Sequence, residues 1–230
     1  MNFQNNMTKT GFTLSEVLIT LGIIGVVAAI TIPGLMTNYR KHVTATTLEK
    51  SISTLNQTIK LSENENGELE TWDRTMKHED FIDKYFRPYI KIMQTCNPIT
   101  KCGYKSQSPW KNLNGRPAND YGNPNHRGRT PFIAMDGILY TFGFINDGGT
   151  AEVDNDKIII IDINNSRGPN QFGKDIFFLY RKEEASIYPY GADKPKNEIQ
   201  KDCSKTGRGF YCAAWIRENG WKIPSDYPWN

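Results

Sequence analysis

The sequence is poor in the residues from which active centres are usually built. Its 230 residues include only four cysteines and three histidines. Neither the G-x-S-x-G signature of serine hydrolases nor the H-E-x-x-H signature of zinc proteases occurs. The formal net charge is +3 without a long basic run, which gives little support for electrostatic nucleic-acid binding. The chain is 38% hydrophobic and 12% aromatic, so it can build a core and does not have a disordered composition.

The few cysteines form two close pairs, Cys96 with Cys102 and Cys203 with Cys212. An even number at short spacings is typical of disulfides in an exported chain, and three pairings are open. We favour these two local pairings, because each closes a short loop and would stabilise the fold by roughly 2–3 kcal/mol. A zinc site is disfavoured, since the spacing is not C-x-x-C and the histidines lie far away in sequence.

One apolar run, residues 12–32, is long enough to cross a membrane. Its 21 residues would span about 30 Å as a helix. The run is longer than the core of a secretory signal, and no basic cluster precedes it. It contains one carboxylate, Glu16. A charge deep in a membrane helix costs roughly 3 kcal/mol and marks a functional candidate, unless Glu16 lies close enough to the helix end to reach the headgroups.

The stretch KTGFTLSEVLITLGIIGVVAAITIP, residues 9–33, resembles the start of the type IV pilins and of the pseudopilins of type II secretion systems. Gly11 matches the last residue of their leader, and Phe12 matches the new N-terminus. Glu16 matches the glutamate at the fifth mature position, and Pro33 the proline of the long helix. The resemblance implies that a prepilin peptidase cleaves between Gly11 and Phe12 and that Phe12 is then N-methylated. Met7 offers an alternative start with a shorter leader.

This resemblance also implies an assembly role for Glu16 and Pro33. The free amine of Phe12 and the carboxylate of Glu16 would offset each other's desolvation cost when paired. They are four residues apart and can meet within one helix. In the family, the glutamate meets the amine of a neighbouring subunit, so Glu16 would set subunit register during assembly.

The implied function is a structural subunit of a type IV pilus or a type II secretion pseudopilus, and not an enzyme. The implied partners are the prepilin peptidase, other pilin or pseudopilin subunits, a membrane assembly platform and the bacterial cytoplasmic membrane. The chain would cross that membrane once, with its head outside the cytoplasm; no nucleic acid is expected. Two alternatives stay open: a minor tip subunit that binds DNA, a surface or an exoprotein, and a membrane-anchored periplasmic enzyme.

We expect four regions along the chain: a leader (1–11), a transmembrane and assembly helix (12–34), an amphipathic helix (35–66) and a globular head (67–230). The helix is expected to bend at Pro33 and resume. Apolar residues beyond it recur with helical spacing, at positions 36, 39, 43, 48, 52, 55 and 59.

The head is predicted to be α+β, with the long helix packed on an antiparallel sheet. A helical face is predicted after His78, and residues 97–130 read as a long loop. Asp136-Gly137 predicts a two-residue hairpin within residues 131–144. Two more strands are predicted at 157–163 and 175–181, which gives a four-stranded meander.

The segment DINNSRGPNQFGKD, starting at Asp162, is the remaining candidate for a cation site. Asp162, Asn164 and Asp175 carry oxygen ligands of the kind that calcium prefers. The segment lacks the glycine and the glutamate of an EF-hand loop, and the final residue of GPNQFGKD is not the Ser or Thr of a phosphate-binding loop. A turn stabilised by Asx and Gly residues is the alternative. We expect no metal or other cofactor, with these three residues as the calcium candidates.

Overall fold

The computed structural model describes residue 11 and residues 13–143, 157–182 and 186–229, without the side chains of residues 120 and 127. It separates into two compact units, Met1–Lys41 and His42–Asn230. The α-helices are α1 (Leu14–Asn66), α2 (His78–Tyr85), α3 (Lys196–Asp202) and α4 (Cys212–Glu218). The strands are β1 (Ile92–Thr95), β2 (Phe132–Ala134), β3 (Leu139–Phe142), β4 (Ile158–Asp162), β5 (Ile176–Arg181) and β6 (Ile187–Pro189).

Helix α1 is a single element of 53 residues, with Pro33 inside it. The proline removes one backbone donor, yet the helix resumes beyond it as predicted. The helix ends where the sequence indicates, before Gly67. That glycine has a φ of +79°, and its N–H donates to the carbonyl of Glu63 at 2.9 Å. A left-handed glycine is a common helix terminator because it lacks the steric penalty of a Cβ.

The six described strands form one sheet in the order β1-β2-β3-β4-β5-β6, with every neighbouring pair antiparallel. The predicted α+β class and the antiparallel meander are confirmed. The prediction of four strands was too low, because β1 and β6 extend the sheet at its two edges. The long helix packs on this sheet through a buried row of side chains that includes Leu48, Leu55 and Ile59.

The β2–β3 connection corrects the predicted turn. The N–H of Gly137 donates to the carbonyl of Ala134 at 2.9 Å, and the N–H of Ala134 donates to Ile138 at 3.1 Å. Three residues therefore form the loop instead of two. Gly137 has a φ of +80°, whereas Asp136 stays outside the left-handed region that a two-residue type I′ turn would require of it. The end of the predicted hairpin, from residue 144 on, lies outside the described residues.

Both faces of the sheet are buried, because successive side chains along a strand point to opposite sides. Ile159 and Ile161 face α1, whereas Ile158 and Ile160 face the other way. The second face is covered by residues 96–122, which contribute Cys96, Tyr104 and Trp110 to a second apolar cluster. The predicted loop thus acts as a covering layer and contains short 3₁₀ turns.

The structure contains both favoured disulfides. Cys96 is bonded to Cys102 and Cys203 to Cys212, with Cα–Cα distances of 5.5 and 5.0 Å. No cysteine is left free. The first bond closes the beginning of the layer that covers the second sheet face, and the second joins the end of α3 to the start of α4.

His78, at the start of α2, is buried between two backbone groups. The N–H of Thr130 donates to Nδ1 at 2.9 Å, and Nε2 lies 2.7 Å from the carbonyl of Phe142. The neutral tautomer with its proton on Nε2 satisfies both contacts. Burial lowers the pKa of His78 to about 4, and the positive charge of Arg129 acts in the same direction.

This arrangement predicts acid destabilisation. As the pH falls below 6.5, the imidazole is protonated in the unfolded chain but not in the folded one until about pH 4. The free energy of unfolding that neutral His78 contributes above pH 6.5 is therefore lost between pH 6.5 and about pH 4, and the loss amounts to about 3 kcal/mol. We expect His78→Gln, which keeps a donor and an acceptor without titrating, to be less stable than the parent at neutral pH and to approach it towards pH 4. Urea unfolding of both proteins across this range measures the difference, and parallel curves would contradict the prediction.

Candidate assembly segment at the start of the first helix

The first half of α1 presents a long apolar surface. None of residues 13–43 is buried, and burial begins at Thr44. The exposed fraction of its large aliphatic side chains ranges from 40% at Val43 to 77% at Leu14. Within the described residues, α1 is the one helix that by length and composition could cross a membrane. A continuous apolar surface of this size marks a site of contact with a membrane or with partner proteins.

Thr13 and Glu16 form a reciprocal cap at the start of this helix. The Glu16 Oε2 atom accepts the N–H of Thr13 at 2.9 Å and its hydroxyl at 2.8 Å. In return, the N–H of Glu16 lies 3.3 Å from the Thr13 hydroxyl oxygen. This is a capping box, which satisfies backbone donors that the first helical turn leaves unpaired. The carboxylate also lies at the positive end of the helix dipole.

Sequence reasoning treated Glu16 as a charge inside an apolar run and missed this role. The signal was present, because Thr13-Leu14-Ser15-Glu16 fits the S/T-x-x-E pattern of a capping box. The carboxylate is thus held in the first helical turn, and the predicted cleavage bond precedes Glu16 by four residues in the sequence. An intramolecular partner, Thr13, is already in place in the single chain.

Of the other site residues predicted in this segment, the structure describes Gly11 and Pro33 but not Phe12. Gly11 is exposed, and a Cβ added to it would meet no heavy atom within 4 Å. Among the described residues, nothing near Gly11 requires a glycine at that position. Phe12 lies outside the described residues, as do residues 1–10 of the predicted leader. Pro33 is exposed within α1.

Two parts of the chain, residues 34–110 and 169–230, match the family of unknown function DUF6613 and together make up more than half of its length. The chain belongs to this family. The matched parts include all of α1 beyond Pro33, and all of α2, β1, β5, β6, α3 and α4. Both disulfides also lie within them.

A second match covers residues 6–32, which correspond to the prokaryotic N-terminal methylation motif. This segment is that of a type IV pilin-like prepilin, and it includes Gly11, Phe12 and Glu16. The two matches adjoin at Pro33. With one apolar N-terminal helix, the motif fits a membrane-anchored, pilin-like protein. No curated protein and no solved structure matches the chain.

The calcium candidates lie together in the β4–β5 connection. Asp162 ends β4 and Asp175 precedes β5, and both carboxyl groups are buried. The backbone N–H of Ile163 donates to the carbonyl of Asp175 at 3.0 Å, so the connection closes on itself. Burial raises the pKa of both groups, and the charge of Asp175 raises the pKa of Asp162 further.

Backbone and side-chain donors surround both carboxyl groups. The Tyr104 hydroxyl donates to Asp162 at 2.7 Å. The N–H groups of Asn170 and Gln171 donate to the two oxygens of Asp175 at 2.8 and 2.7 Å. Among the described residues, no three His, Cys, Asp or Glu side chains converge on one point. The carboxyl groups act here as acceptors that fix the connection and the covering layer against it.

We predict that this connection folds without a bound cation. An ion that binds the folded state specifically would raise the melting temperature by mass action. Because we predict no such ion, adding millimolar Ca²⁺ or a chelator is expected to change the melting temperature by less than about 1 °C. Differential scanning fluorimetry with Mg²⁺ as the matched ion measures the effect. A Ca²⁺-dependent rise that Asp175→Asn abolishes would contradict the prediction and establish a calcium site.

Proposed function

We propose that this protein is a structural subunit of a type IV pilus or a type II secretion pseudopilus. The observation that carries the proposal is the methylation motif of residues 6–32 on an exposed apolar helix whose first turn holds Glu16 beside the cleavage position. In this proposal the prepilin peptidase cuts between Gly11 and Phe12, and Phe12 is N-methylated. Residues 1–11 are then the leader.

Residues 12–34 anchor the subunit in the cytoplasmic membrane before assembly and pack against neighbouring subunits afterwards. The apolar surface supports this proposal, since it needs a cover of lipid or of partner helices. Residues 35–66 continue the helix, and residues 67–230 form the head outside the cytoplasm. The membrane assembly platform extracts the subunit and adds it to a filament of the same or related subunits. The subunit is a substrate of the peptidase and carries out no catalysis of its own.

The proposal predicts a defined mature N-terminus. Mass spectrometry of protein from its native membrane should find a chain that begins at N-methylated Phe12. Gly11→Ala should retain residues 1–11 while the head folds normally, because an added methyl at this position meets none of the described residues. A wild-type chain that begins at Met1, or near Ile30, would overturn the proposal.

The proposed assembly role of the Glu16 charge can be separated experimentally from the role of Glu16 in capping the helix. Glu16→Gln keeps the capping box, since glutamine serves at that position, but removes the charge. Thr13→Ala removes the cap at a cost of about 1 kcal/mol but keeps the charge. If Glu16 pairs with the amine of Phe12 on a neighbouring subunit, Glu16→Gln should lower filament assembly at least about tenfold.

Thr13→Ala is the matched control and should assemble at a level within about threefold of wild type. Assembly is measured as the amount of sheared or pelleted filament, with membrane-bound subunit as the reference for expression. Normal filaments from Glu16→Gln would refute the charge-based role of Glu16. The processed N-terminus of each variant is checked in parallel, so a processing defect is not mistaken for an assembly defect.

A further inference from the structure

The exposed charges of the head are separated by sign. Residues 63–83 carry eight carboxylates and only two Lys or Arg residues. Glu70 forms ion pairs with Arg74, which lies in the same segment, and with Arg181 at the end of β5. Several other carboxylates of the segment are exposed: Glu65, Glu68, Asp73, Glu79 and Asp80. We call residues 63–83 the acidic segment.

A second group of charges is basic. Residues 101–116 carry four Lys or Arg residues and no carboxylate. The β4–β5 connection lies against them, because a Cβ added at Gly103 would lie 2.8 Å from the Ser166 hydroxyl oxygen and the N–H of Lys111 donates to the carbonyl of Asn170 at 3.0 Å. We call the exposed side chains of these two segments the basic face: Lys101, Lys105, Lys111, Arg116 and Arg167.

The two groups lie on opposite sides of the sheet. The acidic segment is anchored by Leu69 and Trp72 in the apolar cluster that α1 shares with one sheet face. The layer that bears the basic face is anchored by Tyr104 and Trp110 in the cluster on the other face. The acidic segment therefore lies on the helix side of the sheet, and the basic face lies on the side of the covering layer.

We propose that the acidic segment of one copy of this chain docks on the basic face of a second copy. This inference rests on the proposed filament function and adds to it a contact between heads. Because the two patches are different surfaces on opposite sides, each copy can use both at once, and such a head-to-tail contact propagates without closing on itself. Opposite potentials also steer the encounter and disfavour contacts between like faces.

A second copy of the chain would be attracted to both patches, because it carries a patch of opposite charge for each. A polyanion such as DNA would be attracted to only one of them. DNA would be attracted to the basic face but repelled by the acidic segment, since each phosphate carries a negative charge. Charge complementarity within the chain itself therefore favours self-association, and DNA binding becomes an outcome of the test.

The test uses full-length protein in detergent micelles, as a mixture of isotopically labelled and unlabelled copies. A water-soluble carbodiimide couples lysine amines directly to carboxylates, and peptides of mixed isotope composition report contacts between copies. We expect mixed cross-links that join the lysines of the basic face to the carboxylates of the acidic segment. Their yield should fall at high salt, because exposed charges are screened.

Two double variants reverse charge without removing the lysines that react. Arg116→Glu with Arg167→Glu alters the basic face, and Glu68→Arg with Glu79→Arg alters the acidic segment. Each alone should lower the mixed cross-links about tenfold, since two attractions become two repulsions. Mixing the two variants should restore cross-links between copies of different variants to within about threefold of wild type, while cross-links between copies of the same variant should stay low. Between different variants both contacts are attractive: the native acidic segment of the first variant meets the native basic face of the second, and the two reversed patches also attract each other.

The control variant, Lys194→Glu with Lys196→Glu, changes the net charge by the same amount as the reversal of the basic face. Because its substitutions lie outside both patches, it should leave the yield of mixed cross-links unchanged. Arg208 is left unchanged because it lies 3.5 Å from Asp202 and stacks on Phe210. A loss without recovery in the mixture would overturn the inference, as would cross-links that the reversals leave unchanged. Salt-dependent DNA binding with no mixed cross-links would also overturn it. The readout requires neither cleavage nor filaments, so an uncleaved N-terminus would refute the proposed function separately.

Discussion

The structure depends on one constraint: the first half of α1 carries an apolar surface that the described part of the chain does not cover. Beyond residue 43 the same helix buries Leu48, Leu55 and Ile59 in the head. Up to residue 43 its aliphatic side chains are exposed. A single helix is thus divided into a part whose partners are in this chain and a part whose partners are lipid or other chains. Removing apolar surface from water is favourable, at about 25 cal/mol per Å², so covering this part with lipid or with other chains would be strongly favourable.

The head is organised by a second constraint, the burial of both faces of its sheet. Strand β4 is a run of isoleucines, of which Ile159 and Ile161 face the helix and Ile158 and Ile160 face the opposite layer. An antiparallel sheet can leave one face to solvent, but this sequence does not permit it. The irregular residues 96–122 must therefore cover the second face, and the disulfide at Cys96 restricts their freedom. As a result, the basic side chains of that layer lie on the side of the sheet opposite the acidic segment.

Elements with strong local patterns could be predicted from the sequence. The long helix and the central strands β2 to β5 have apolar patterns of sufficient length, and the short cysteine spacings favoured the pairings that the structure contains. The missed strand β1 has only two apolar residues in four, and its position is fixed by pairing with β2, about 40 residues further along the chain. Strand β6 pairs with the neighbouring β5, but it has only three residues and ends in a proline, which weakens a strand signal. Likewise, Asp136-Gly137 identified a turn but not its length, which depends on the register of the flanking strands.

The candidate site shows the same division between local and tertiary information. The capping box of Thr13 and Glu16 could have been predicted from four consecutive residues, but the surrounding apolar run led to the interpretation of Glu16 as a charge within a membrane helix. The buried contacts of Asp162 and His78 could not be predicted, because Tyr104 and Thr130 approach them only in the folded head. Charge separation across the sheet is also a tertiary property, since it requires knowing which layer each segment joins.

The capping box sharpens the question of why residue 16 is charged. Glutamine would complete the same cap and would cost less in an apolar environment, so capping explains a polar side chain but not a carboxylate. The hydrogen bonds from Thr13 and the positive end of the helix dipole offset only part of a full negative charge. A cation close to the helix start would offset the rest. Cleavage after Gly11 would create such a cation at Phe12, four residues before Glu16 in the sequence, on this chain or on a neighbouring one. The charge of Glu16 is therefore better explained by the processed chain than by the precursor.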